Sequence, residues 1–240
     1  MSEQPQSFGE RLAPRDPDEL PPARPAATVI LARAATATGE AGTGIEVLLL
    51  QRSDHGVFGG LWVFPGGRVD DGDVGADDVE RARAAAVRET MEEAGATIDP
   101  ASLTYWSHWT PPAVLAKRYL TWFFIGEWPG GDIAVDDHEV LRYRWITPAQ
   151  ALAEHLPMAP PTIVTLAELV TLDPASPAEL RRADDQAPAY RTVVGRAVDG
   201  TPVMLWEGDA GYSAGDPNVP GPRHRLWMPK DAPARFERTH

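Results

Sequence analysis

Between Asp77 and Gly95 the residues Val79, Ala82, Ala86, Val87, Thr90, Met91 and Ala94 return at helical spacing, the mark of a helix that buries one face. Asp77 stands three residues before Glu80, the spacing of a capping box, and Gly95 suits the left-handed position after a helix end. On both sides lie runs rich in β-branched and aromatic residues. TVILARA (28–34), IEVLLLQ (45–51) and LWVF (61–64) come before it, and SLTYWSHW (102–109), RYLTWFFIGE (118–127) and VLRYRWI (140–146) come after it. Strands flanking an amphipathic helix pack together around one core, so the chain reads as an α/β domain.

The first 26 residues hold six prolines and many charges and read as a flexible Pro-rich arm. The domain is expected over residues 27–156, closed by a short helix in TPAQALAEH (147–155). Residues 157–240 read as a helical and β extension packed on it, with helices at 161–171 and 177–184 and a strand pair in RTVVGRAV and PVMLW.

Composition narrows the partners. Lys and Arg number 22 against 35 Asp and Glu, a formal net charge of -13, which disfavours nucleic acid and anionic membrane surfaces because phosphate contacts need basic side chains. An anionic ligand therefore needs positive charge from elsewhere. The chain has no Cys, so disulfides and thiolate metal sites within it are excluded. No apolar run approaches the roughly 18 residues of a membrane span, and MSEQPQSFGE has neither the basic nor the apolar region of a signal peptide. A cytoplasmic location is the expectation.

Three glutamates and an arginine crowd the end of the helix in AVRETMEEAGATI (86–98). At about 100° per residue, Glu89, Glu92 and Glu93 span an arc of about 100° over one turn, with Arg88 at its edge. Like charges at this spacing repel. Glu-rich faces are commonly just solvated, but here the glycine turn of FPGG (64–67) and the acidic VDDGD (69–73) lie upstream. A divalent cation would remove the repulsion, supply the missing positive charge and bridge to phosphates.

GGRVDDGD followed by RETMEEAGA resembles the signature of the Nudix hydrolases, with Gly67, Asp73, Arg88, Glu89, Glu92, Glu93 and Gly95 at its positions. There are two departures. Asp73 stands where the family usually has Glu, and fourteen residues (74–87) precede Arg88 where the family pattern has seven. Seven extra residues make close to two helical turns, so an insert here keeps the carboxylates on the same side. The role of Asp73 stays open. The longer spacer, with SHWTPP and RYLTWFF downstream, is similar to the branch that includes peroxisomal coenzyme A diphosphatases, although that branch has Asp where this chain has Leu120. Upstream, the coenzyme A signature is matched by Leu50, Arg52 and Phe64-Pro65-Gly66-Gly67.

The resemblance implies a Nudix-type α/β/α sandwich with a mixed β-sheet and metal-dependent hydrolysis of a diphosphate linkage in a small-molecule nucleoside diphosphate derivative. Coenzyme A or acyl-coenzyme A is the first candidate substrate, with ADP-ribose or a dinucleotide as alternatives. It implies Mg²⁺ or Mn²⁺ as cofactor, with Glu92 and Glu93 as ligands. Glu89 is then a ligand or the group that orients and deprotonates the attacking water, and Arg88 holds a glutamate. Homodimers are common in the family. A backbone carbonyl of Gly66 or Gly67 is a further candidate ligand.

Glu139, just before a strand, is a candidate for one more metal ligand, against a loop glutamate in solvent. Arg52 is a candidate for a substrate phosphate, against a surface ion pair. Trp109, and Trp106 with it, is a candidate for stacking on an adenine ring, against core packing. His108, His138 and His155 are not spaced as a metal set. A non-catalytic nucleotide-sensing protein of the same fold is the alternative function, disfavoured because all three glutamates remain and no basic recognition helix is present. An isoprenoid diphosphate isomerase of related fold would want a catalytic Cys.

Overall fold

In the sequence IEVLLLQ, alternate residues must face opposite sides of a sheet, yet Val47, Leu48, Leu49 and Leu50 are all fully buried. Both faces of that strand are therefore covered. The computed structural model describes residues 22–35, 44–53, 59–113, 115, 118–135 and 139–239. They fall into two units: one formed by Arg24–His108 and Leu120–Ala189, the other containing Trp109–Tyr119 and Tyr190–His240.

The first unit is built on a sheet of β1 (Arg24–Ala34), β2 (Ile45–Arg52), β3 (Trp62–Val63), β4 (Gly66–Arg68), β5 (Thr104–Thr110), β6 (Tyr119–Glu127) and β7 (Val140–Ile146). The order is β3-β2-β1-β6-β5, with β4 paired to β1 and β7 to β2. Helix α1 (Asp78–Ala94) covers one face. Its Ala82, Ala85, Ala86 and Ala94 share a core with Ala27, Val29, Leu31, Leu48 and Leu50, and the run of alanines lets the helix lie close on the sheet. On the opposite face Arg144, in register with Leu49, forms an ion pair at 2.6 Å with Glu154, the residue that ends α2 (Pro148–Ala153). Helix α3 (Pro160–Leu172) packs on α2. This is the expected α/β sandwich of the Nudix type.

Both ends of α1 follow the sequence signals. Asp77 accepts a hydrogen bond from the Glu80 amide at 2.9 Å, and Gly95 has φ 68° with its N–H donating to Met91 O. Arg83, buried on the helix, donates to Leu103 O, pairs with Asp184 at 3.3 Å and lies 4.9 Å over the Phe124 ring. The expected helix at 177–184 is instead two short 3-10 turns, Pro177–Glu179 and Asp184–Gln186. Ser176 makes no side-chain cap there, and Arg182 is drawn to the Trp106 carbonyl at 3.0 Å and the Trp106 ring at 3.6 Å.

In the second unit β8 (Ala189–Arg191) precedes a four-stranded antiparallel sheet of β9 (Val193–Arg196), β10 (Pro202–Leu205), β11 (His224–Trp227) and β12 (Arg235–Arg238), in the order β12-β11-β10-β9. The β9–β10 pair is the expected one, and β11 and β12 add to it. Trp109, Tyr190, Trp206, His224 and Phe236 form its aromatic centre. Arg225, itself buried, holds buried Asp209 through two hydrogen bonds of 2.6 Å. Among the described residues no helix is long and apolar enough to cross a membrane.

Candidate functional site

Pro65-Gly66-Gly67, expected as a turn, enters the sheet as β4 by pairing antiparallel with β1, Gly66 opposite Thr28 and Gly67 opposite Ala27. That pairing sets a backbone edge against the last two turns of α1. Gly66 has φ 155°, and a Cβ there would lie 2.6 Å from Thr28 Cα, so only glycine fits. At Gly67 a Cβ would collide with the carboxyl group of Glu89. The missing side chains thus leave a cradle in which two helix carboxylates meet the strand.

Glu93 is 4% exposed. Its Oε2 accepts the Gly66 amide at 2.8 Å, and its Oε1 accepts from Arg52 Nη1. Burial pushes its carboxyl up to about 7; Arg52 and the Gly66 amide work against that shift, and the nearby charges of Glu89 and Glu139 add to it. Glu89, one turn earlier, is raised by burial in the same way, opposed by Arg88. Two carboxylates desolvated side by side attract a cation strongly.

Two arginines supply positive charge. Arg52, at the end of β2, bridges Glu93 and, at 2.9 Å, Glu139. Arg88 binds Glu89 at 2.8 Å and Glu92 at 3.2 Å. On its other side Arg88 makes two hydrogen bonds to Asp73, at 3.0 and 2.9 Å, and donates to the Arg68 carbonyl. Burial acts to raise the Asp73 carboxyl, but the hydrogen bonds of Arg88 and of the Asp70 amide, with the charges of Arg88 and Arg81, outweigh it and hold it below the usual range. The longer spacer therefore still delivers an acid to Arg88. Residues 78–87 of that spacer are the first turns of α1.

The structure thus brings Arg52, Gly66, Arg88, Glu89, Glu92, Glu93 and Glu139 to one region. At Gly66 the contact is made by the N–H. Glu92 and Glu139 stand at the rim, their side chains 58% and 60% exposed. Trp109 lies in the other unit, 3% exposed and stacked on Tyr190 with ring centroids 3.9 Å apart, so that ring face is already taken. Trp106 is equally buried, beneath Arg182. His108 stacks on Trp122, and His138 lies outside the described residues. The anchoring of Arg88 by Asp73 was open at the sequence level.

Carboxylate oxygens are donors suited to Mg²⁺ or Mn²⁺, and the missing side chain at Gly67 lets the Glu89 carboxyl group come up to the strand beside Glu93, so the residues fit a hard divalent ion in chemistry. In the arrangement described, guanidinium groups hold those oxygens, and among the described residues no three His, Asp or Glu side chains converge as a ligand set.

The family model described as NUDIX domain matches residues 22–169. No curated protein matches the sequence. Among solved structures the chain is similar to a NUDIX hydrolase from Alicyclobacillus acidocaldarius, at 22% identity over 64% of this chain and 94% of that one, with a TM-score of 0.55. That likeness is one of fold. An Ap4A hydrolase from C. elegans matches at 26% identity over 61% of this chain and 96% of that one, TM-score 0.41. The NUDIX domain of Shewanella oneidensis NrtR, solved with ADP ribose, matches at 18% identity over 70% and 98%, TM-score 0.48.

Proposed function

The chain belongs to the Nudix family, hydrolases of pyrophosphate bonds in nucleoside diphosphate derivatives, and from that premise we propose that it cleaves the diphosphate of coenzyme A or an acyl-coenzyme A with Mg²⁺ or Mn²⁺. The observation that carries the catalytic part is the pair of desolvated carboxylates, Glu89 and Glu93, laid against the Gly66-Gly67 edge. In this reading Glu92 and Glu93 are ligands, with Glu139 and a glycine carbonyl as further ones. When bound, the ion offsets diphosphate charge and eases the ionisation of water. Glu89 holds an ion or orients the attacking water and takes its proton. Arg88 sets the rotamers of Glu89 and Glu92, and Arg52 meets a substrate phosphate.

Support for the coenzyme A branch is the long spacer with RETMEEAG and the SHWTPP and RYLTWFF segments. Against it stands Leu120, an apolar residue packed on the sheet core where the branch has Asp. ADP-ribose and dinucleotides follow as alternative substrates. The deciding experiment is phosphate release, coupled to an added phosphatase, from coenzyme A, acyl-coenzyme A, ADP-ribose, NADH, FAD and diadenosine polyphosphates, with each metal. Cleavage of coenzyme A alone supports the branch, and preference for another compound replaces it. A flat panel for folded, metal-loaded protein favours a nucleotide-sensing protein, a reading for which the arginine-closed carboxylates are the specific observation.

A further inference from the structure

Arg52 occupies a place in the site that a substrate-phosphate ligand alone does not explain. Its two terminal nitrogens reach different carboxylates, Nη1 to Glu93 on α1 and Nη2 to Glu139 ahead of β7 at 2.9 Å. The backbone around it is clamped so that this bridge is built in. The Arg52 amide donates to Leu61 O at 3.0 Å, Gly60 N–H donates to Arg52 O at 3.1 Å, and Ser53 N–H donates to Glu139 O at 2.8 Å. The strand register also shifts between Gln51 and Arg52, bringing Arg52 opposite Val140, the neighbour of Glu139. Glu139 and Arg52 are thereby fixed side by side through main chain, with Glu93 facing them from the helix. One guanidinium bridges both carboxylates.

We propose that Arg52 is a placeholder cation. It holds Glu93 and Glu139 in the metal-free protein, and it releases them when a divalent ion takes their oxygens, which frees its guanidinium for the anionic substrate. The inference rests on the hydrolase reading above. Without a cation, buried Glu93 is left uncompensated, and burying an unpaired charge is costly. With both cations on the same oxygens, like charges would crowd. An exchange avoids both states and couples metal loading to exposure of a phosphate-binding group, although Arg52 itself need touch no metal. Charge-assisted hydrogen bonds of this kind are strong yet reversible.

The test uses the full chain, stripped with EDTA and titrated with Mn²⁺ at pH 8, binding being followed by the loss of the free Mn²⁺ electron-spin-resonance signal. Arg52→Gln removes the competitor, so the inference expects Mn²⁺ affinity about tenfold tighter than wild type, with a lower melting temperature in EDTA that Mn²⁺ restores. Adding Glu139→Gln to Arg52→Gln is expected to erase the gain in affinity. A second measurement needs no variant. Wild-type protein is treated with phenylglyoxal, and the modification of Arg52 is read by peptide mass spectrometry, expected to rise several-fold with Mn²⁺ present. Equal or weaker Mn²⁺ binding by folded Arg52→Gln, or Arg52 labelling unchanged by bound Mn²⁺, overturns the placeholder and leaves the hydrolase reading standing. Mn²⁺ bound by neither protein overturns both.

Discussion

Asp73 grips Arg88 with both carboxylate oxygens, at 3.0 and 2.9 Å, while the same guanidinium reaches Glu89 and Glu92. An acid in the loop thus sets an arginine that sets two helix carboxylates. Asp73→Asn keeps the shape and removes the charge. It is expected to cost about 1–3 kcal/mol of stability, below the cost of breaking a fully buried pair because water screens the partly exposed Arg88. Turnover should fall about tenfold or more through misplaced Glu89 and Glu92. Thermal melts and kcat check both, and wild-type turnover in Asp73→Asn would discard the relay.

Gly67→Ala separates backbone tolerance from site chemistry. The new methyl meets the Glu89 carboxyl group, so the expectation is a folded protein with a displaced Glu89 and turnover lowered roughly 100-fold. Gly66→Ala, by contrast, forces its Cβ onto Thr28 at φ 155° and should weaken the β1–β4 pairing itself. Circular dichroism and soluble yield distinguish the two.

Glu93→Gln is expected to abolish turnover while the fold persists, because an amide of the same size still accepts the Gly66 N–H. Glu139→Gln, at the exposed rim, should lower turnover only partly. Normal activity of Glu93→Gln at saturating Mg²⁺ removes the assignment, and an unchanged Glu139→Gln returns that residue to the role of a loop glutamate paired with Arg52.

His224 is expected to make the second unit sensitive to acid. Burial lowers its basicity; its contact with the Glu207 carbonyl and the charge of Asp209 work against the shift, and Arg238 adds to it. Nδ1 contacts Glu207 O at 2.7 Å, and Nε2 is buried with no hydrogen-bond partner among the described residues. The unfolded chain therefore binds the proton more readily than the folded one. The stabilisation is fully present above about pH 6.5 and is lost as pH falls below it, by at most about 1.4 kcal/mol per pH unit. Melting temperatures between pH 5 and 8 should fall on the acid side, and the fall between 6.5 and 5 should be blunted in His224→Leu. An equal fall in both proteins assigns the effect to other groups.

Local signals gave most of the first unit. The helix was legible because capping residue, apolar period and terminal glycine agree, and the carboxylate cluster because its spacing sits on one helical face. β4 was not legible. Three residues beginning Gly-Gly carry no strand propensity, and they join the sheet only because β1 extends back to Arg24 to receive them. The segment after Pro174 misled in the opposite direction, since Leu180 is buried and Arg182 answers to the Trp106 carbonyl and ring rather than to its own neighbours. Trp109 is a candidate for stacking, against core packing, at the level of sequence, because sequence shows an aromatic residue without showing Tyr190 already on it. Arg52 between Glu93 and Glu139 joins three segments distant in the chain, and no window of sequence displays that.

Arg83 fastens the middle of α1 to Leu103 and to Asp184, and Arg182 holds Trp106. Asp184 and Arg182 lie beyond residue 169, where the family match ends. A fragment cut at that point keeps every residue of the signature but loses the Asp184 part of the clasp on the helix that bears the glutamates. The smallest portion of this chain that could be transplanted with its chemistry is therefore longer than the stretch by which its kinship is recognised.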